Sequence, residues 1–233
     1  MTSAGVKLGG LVPFSSVDFP SKLAAVLFTR GCPLRCSYCH NPHLQARAPA
    51  LTAVNWDEIM AWLRRRRNLL DAVVFSGGEP TMHAGLAAAM AEVRELGFAV
   101  GLHTAGTNAR RISQIIDSAD WIGLDVKAPF RKYRIITRSD SSGAHARRSL
   151  DTILAHGKNY EVRTTYRQDL LTDDDMMEIA TELRVRGVSQ WTLQAFRPVS
   201  HGDPKMPGLR SSEPNDALVR TLRDLIPDLQ LRL

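Results

Sequence analysis

The feature that most constrains this chain is a regular alternation between short apolar runs and longer amphipathic stretches. Six runs begin at Leu23 (LAAVLFT), Asp71 (DAVVFSG), Phe98 (FAVGLHT), Trp121 (WIGLDVK), Tyr160 (YEVRTTY) and Trp191 (WTLQAFR). Each is rich in β-branched or aromatic residues and short enough for a buried strand. Between them lie helical patterns over Trp56–Leu70, Leu86–Leu96, Ile112–Ile116, His145–His156 and Asp174–Arg186. Thr172 followed by three aspartates reads as an N-cap with an acidic first turn, and Gly97 and Gly187 read as helix stops. Strands alternating with helices imply a parallel sheet with right-handed crossovers. The expected class is therefore α/β, with six units forming a partial barrel or an open doubly wound sheet. Eight units, as in a full barrel, do not fit comfortably in 233 residues. Arg138–Ala144 and Ser200–Asn215 read as loops, and Leu229–Leu233 as a last short strand. A single domain over residues 1–233 is expected.

At 44% hydrophobic and 23% charged residues, the composition is that of a globular protein. No run of about 18 apolar residues is present, which argues against a membrane-spanning helix. The start, MTSAGVKLGG, lacks the apolar run of a secretory signal, so a cytoplasmic location is expected. The net charge of +6 suits a solvated basic surface or attraction to an acidic partner. The run Arg64–Arg67 closes an expected helix, where cations complement the dipole. All three cysteines fall within eight residues, an odd and clustered set that points to metal or redox chemistry rather than to a disulfide framework.

Those cysteines lie in GCPLRCSYCHNP, just after the first apolar run, with spacing Cys32-x3-Cys36-x2-Cys39. In β/α architectures ligands bind at the carboxyl ends of the strands, so the loop is placed for a site. Zinc would take His40 as a fourth ligand, but structural zinc is usually held by two separated pairs. The C-x-x-C-H match of haem attachment would leave Cys32 idle. An iron–sulfur cluster normally has four cysteine ligands; three would leave one iron open, which is what a catalytic cluster needs.

CPLRCSYC resembles the CxxxCxxC signature of the radical SAM superfamily, including the aromatic Tyr38 before the last cysteine. The resemblance implies a partial (β/α)6 TIM-like barrel. It also implies a [4Fe–4S] cluster on Cys32, Cys36 and Cys39, whose open iron is chelated by S-adenosylmethionine (SAM). An electron from the cluster then releases a 5′-deoxyadenosyl radical. Further segments carry the likeness. Gly77-Gly78-Glu79 after the second strand resembles the motif that holds the SAM amino group. Asp125-Val126-Lys127 resembles the DxK motif, whose Lys meets the SAM carboxylate and whose Asp helps bind a monovalent cation. His103-Thr104-Ala105-Gly106 stands where related activating enzymes have DTNG. His103 replaces an Asp there, which puts the cation site in doubt, and His103 could instead hydrogen-bond the SAM carboxylate. On the fifth strand Arg163, sharing a face with Thr165, could meet the SAM carboxylate or ribose. On the sixth, Gln194 and Phe196 could flank the adenine.

From Gly10 to about Pro198 the chain is similar to the anaerobic ribonucleoside-triphosphate reductase activating proteins. That likeness implies abstraction of a hydrogen from a glycine of a large glycyl-radical enzyme, with a flavodoxin or ferredoxin as reductant. No cysteine remains for an auxiliary cluster. A partial barrel also leaves a lateral mouth for a loop of another protein. Two alternatives are carried. One is a radical SAM enzyme acting on a small molecule or RNA, such as a deazapurine-forming relative. The other is a metal-stabilised nucleic-acid-binding module, against which the absence of aromatic-basic interleaving speaks.

Overall fold

A computed structural model describes residues 5–46, 54–197 and 213–232. They fall into two compact units. The first is drawn from Met1–Leu34, Asn41–Leu124 and His145–Tyr160; the second from Arg35–His40, Asp125–Ala144 and Glu161–Leu233.

In the first unit, β1 (Leu8–Ser15) pairs antiparallel with β2 (Ala24–Thr29). Parallel strands β3 (Ala72–Gly77), β4 (Ala99–Thr104) and β5 (Trp121–Asp125) follow in chain order. The helices are α1 (Trp56–Arg64), α2 (Leu86–Glu95) and α3 (Ala109–Ile115). The two-residue strand period sorts the side chains. Ala24, Val26, Ala72 and Val74 join Phe19 and Trp121 in one cluster, and Gly101 presses on Phe19. Ala25, Leu27, Val73 and Phe75 take the opposite face, where Phe75 stacks on Trp56 of α1. Both faces are covered, so these strands are apolar throughout.

In the second unit, β6 (Tyr160–Tyr166), β7 (Trp191–Ala195) and β8 (Gln230–Arg232) are parallel. α4 (Arg134–Thr137) is short, and α6 (Asp173–Val185) packs against α7 (Asp216–Leu225). The expected start of α6 is present as a full capping box between Thr172 and Asp175.

All six expected strands form. The N-terminal β1 is an addition that the alternation did not announce. The expected helix from Trp56 ends at Arg64 rather than Leu70, and Asn68 turns the chain in a left-handed conformation. The loop expected over Arg138–Ala144 is shorter, because α5 (Ser142–His156) already includes Ser142, Gly143 and Ala144. Gly143 reads as a breaker in sequence, yet a Cβ there would stand 2.0 Å from the Phe130 carbonyl oxygen. Close packing, not a turn, calls for that glycine. The last strand is Gln230–Arg232, and most of the expected Ser200–Asn215 loop lies outside the described residues.

Candidate cluster and cofactor site

The first unit builds its part at the carboxyl ends of β2, β3 and β4. β3 ends at Gly77, whose φ is +114°. A Cβ on Gly77 would lie 2.3 Å from the Thr29 nitrogen, and one on Gly78 would lie 2.3 Å from the Gly31 carbonyl oxygen. The backbone these glycines admit is the chain's own. Gly78 N–H donates to Thr29 O and Glu79 N–H to Gly31 O, both at 2.8 Å. The next residue, Cys32, donates its N–H to Gln45 O at 3.2 Å. The GGE turn is thus stitched to the first step of the cysteine loop.

Glu79 is fully buried. Its Oε1 accepts from Thr81 N–H (3.1 Å), Thr81 Oγ1 (2.6 Å) and Thr104 Oγ1 (2.7 Å), and its Oε2 from Ala105 N–H (2.9 Å). Burial pushes the carboxyl above its ordinary range, and the four hydrogen bonds offset only part of that. Oε2, with one donor, has capacity for another. Thr81 was not anticipated; Glu79 caps the short turn begun by Pro80, and Glu-Pro-Thr carries that signal. Thr104 does reach the site, through Glu79. His103, one residue earlier, faces the other way. Its Nε2 lies 2.9 Å from Asp18 O, and its ring stands edge-on to Trp121. The SAM carboxylate remains a proposal for His103, which in the structure contacts Asp18.

The second unit holds the rest of the cysteine loop. Arg35 N–H donates to Thr137 O and Ser37 N–H to Ile136 O, both at 3.0 Å, so the residues flanking Cys36 hang on the last carbonyls of α4. No sequence signal could show this, because the acceptors are backbone groups. Lys127, largely buried, has its Nζ 3.1 Å from Asp125 Oδ2 and 6.0 Å from the centre of the Tyr38 ring. Burial disfavours the ammonium, but the Asp125 carboxylate, with Cys36 and Tyr38, more than reverses this and holds Lys127 well above the usual range. Arg163 donates Nε (3.0 Å) and Nη2 (2.8 Å) to Asp125 Oδ1. Both oxygens of Asp125 are therefore engaged by cations of the chain. Arg163 and Thr165 share a face of β6, and the register sets Gln194 of β7 beside Thr165. Phe196 lies beyond β7, 6.4 Å from Tyr38 and 5.9 Å from His40 between ring centres. Arg167, unforeseen, covers Phe196 at 5.0 Å and is paired with Asp169.

Two features suit an iron–sulfur cluster with an anionic ligand. The three thiols are free of disulfides, and thiolates are the donors that such clusters take. Burial raises the Cys36 thiol and Lys127 opposes the rise. The second unit also sets two largely buried cations, Lys127 and Arg163, against one carboxylate, and the buried Tyr38 and Ser37 hydroxyls have no hydrogen-bond partner among the described residues. Incoming negative charge would balance that excess. Among the described residues no three His, Cys, Asp or Glu side chains converge as around a single ion.

The family model of the Radical SAM superfamily matches residues 26–183, spanning β2 through α6. The chain belongs to the radical SAM superfamily. Membership brings a [4Fe–4S] cluster and SAM as cofactors. A protein of Methanocaldococcus jannaschii, provisionally named a glycyl-radical enzyme activating enzyme, is 29% identical over 216 residues, covering 90% of this chain and 88% of that one. The pyruvate formate-lyase-activating enzyme of Clostridium pasteurianum is 34% identical over 118 residues, 48% of each chain. Among solved structures, Streptococcus suis SuiB bound to its precursor peptide SuiA matches with TM-score 0.67 at 14% identity, over 93% of this chain and 49% of SuiB. TYW1 with a lysine-pyruvate adduct matches with TM-score 0.63 at 17% identity, over 86% of this chain and 73% of that one. At such identities the likeness is one of fold. It agrees with an α/β chain of the partial (β/α)6 TIM-like type. Among the described residues no helix is long and apolar enough to cross a membrane.

Proposed function

We propose that this radical SAM protein is an activating enzyme. It would cleave SAM reductively at a [4Fe–4S] cluster on Cys32, Cys36 and Cys39 and place a glycyl radical on an anaerobic ribonucleotide reductase-like partner. The observation that carries the reading is the 29% identity to a provisionally named activating enzyme along nine-tenths of the chain. Identity to pyruvate formate-lyase-activating enzymes supports the class. The narrower choice of partner rests on the stretches from Gly10 to Pro198. The same reading places the protein in the cytoplasm with a flavodoxin or ferredoxin as electron source.

When bound, the cluster supplies the electron that breaks a carbon–sulfur bond of SAM. The chain's own residues bind, orient and shield. Glu79 Oε2 offers a lone pair to the SAM ammonium. Lys127 offers an ammonium to the SAM carboxylate while Asp125 holds it in place. Gln194 and Phe196, the latter beside Tyr38, would flank the adenine, and Arg163 steadies Asp125. Each role is a proposal about SAM. The test is anaerobic reconstitution with reductant and SAM, with and without an anaerobic ribonucleotide reductase, read by electron paramagnetic resonance. A glycyl signal on the reductase is expected. SAM cleavage with no such signal would reject the partner and keep the family chemistry.

A further inference from the structure

Irreversible reductive cleavage of SAM takes one electron per turnover, and that electron must reach the cluster from outside. One surface of the second unit stands next to the cluster loop. The inner side of α4 is buried: Tyr133, Ile136 and Thr137 are closed off, and Thr137 Oγ1 bonds Tyr133 O (2.9 Å) and Ser142 Oγ (2.7 Å). Its last carbonyls hold Arg35 and Ser37, on either side of Cys36. The outer side is exposed. Ile135, 48% accessible, is an uncovered apolar side chain, and Arg131, Arg134 and Arg138 stand exposed around it in sequence. Arg131 and Lys132 pair with Glu178 and Asp175, and Arg134 with Asp140. Arg138, held in a left-handed turn by its N–H on Arg134 O, forms no ion pair among the described residues. With the exposed Arg35, the patch carries five cations among four carboxylates, the fourth being Glu182, which also acts on Arg131.

We infer that the outer face of α4, Ile135 flanked by Arg134 and Arg138, docks an acidic one-electron carrier protein. The carrier's reduced cofactor gives up one electron and is oxidised by one. The cluster gains that electron, and no bond or proton changes at the docking face. From α4 the route to the cluster is short. Ile135 is one residue from Ile136, whose carbonyl accepts the Ser37 N–H next to Cys36. Small, charge-steered contacts with a modest apolar centre are typical of redox encounters. The inference rests on the family's need for an electron, not on which glycyl-radical partner is served.

The test compares wild type with the double variant Ile135→Asp, Arg138→Glu, and with Val185→Asp as a control for an exposed apolar residue elsewhere. A recombinant bacterial flavodoxin is the probe. Its affinity for the cluster-free and the reconstituted protein is measured at low and high ionic strength. SAM cleavage is then measured with reduced flavodoxin and, separately, with dithionite. The double variant should bind flavodoxin about ten-fold more weakly at low salt. It should lose a similar factor in flavodoxin-driven cleavage and keep dithionite-driven cleavage, with the control unchanged. Unaltered flavodoxin affinity would overturn the inference. So would a loss confined to glycyl-radical yield, which would give the face to the substrate protein. If dithionite-driven cleavage also falls, Arg138→Gln alone decides on flavodoxin affinity, and no change there overturns it. A wild-type protein that cleaves SAM but makes no glycyl radical would end the partner reading and leave this one standing.

Discussion

Glu79 sits in a burial where an anion is costly, and four donors offset only part of the cost. Its folded-state pKa is raised above the unfolded value, so the folded protein holds the proton more tightly. The associated stability is present below the unfolded pKa and is lost as pH rises through the folded one. Cluster-free wild type should therefore lose stability relative to Glu79→Gln as pH rises from acid to neutral, in denaturant titrations at several pH values. A parallel pair of curves would reject the assignment. At the same scale, Cys32→Ala, Cys36→Ala and Cys39→Ala should each prevent cluster assembly, read as iron content and visible absorbance. Lys127→Ala should retain iron and weaken SAM binding by about ten- to a hundred-fold, the worth of a charge-assisted hydrogen bond. Equilibrium dialysis checks this. The candidate residues themselves were legible: Glu79, Lys127 and the cysteines carry motif spacing. Their partners were not. Asp18 meets His103 across 85 residues of chain, and only folding makes that contact.

Elements explain why some signals failed. β1 reads LGGLVPFS, with two glycines and a proline, which is poor strand sequence. It forms because its pairing with β2 supplies the ladder, and register shifts beside Gly10 and across Val12–Ser15 accommodate the misfits. The N-terminus of α6 was legible because a capping box is local, and α5 began early because packing against Phe130 overrode the glycine signal. The GGE turn yields a prediction here. Gly78→Ala would force a Cβ against backbone that has little freedom to move, and should destabilise the cluster-free protein by about 1–3 kcal/mol. Thermal unfolding reads the loss. An unchanged midpoint would show that the contact with Gly31 is looser than described.

For the molecule as a whole, the β/α alternation led to the correct class because the inner strands β2 to β5 are short, largely apolar and buried, and are separated by helical stretches. What the alternation could not show is that the chain divides into two compact units, with the cysteine loop contributing to each. Bound SAM should raise the midpoint of unfolding, since a ligand at a hundred times its Kd adds about 2.7 kcal/mol. Calorimetry should show that rise in wild type and a smaller one at equal SAM concentration in Lys127→Ala. The contact between Gly31 and Gly78 has a further consequence for anyone who would transplant this chemistry. A cysteine loop grafted alone onto another β/α scaffold would arrive without the surface that shapes its first bend. The transferable module is both strand ends together, with their glycines, and mutational libraries that vary one end should hold the other constant.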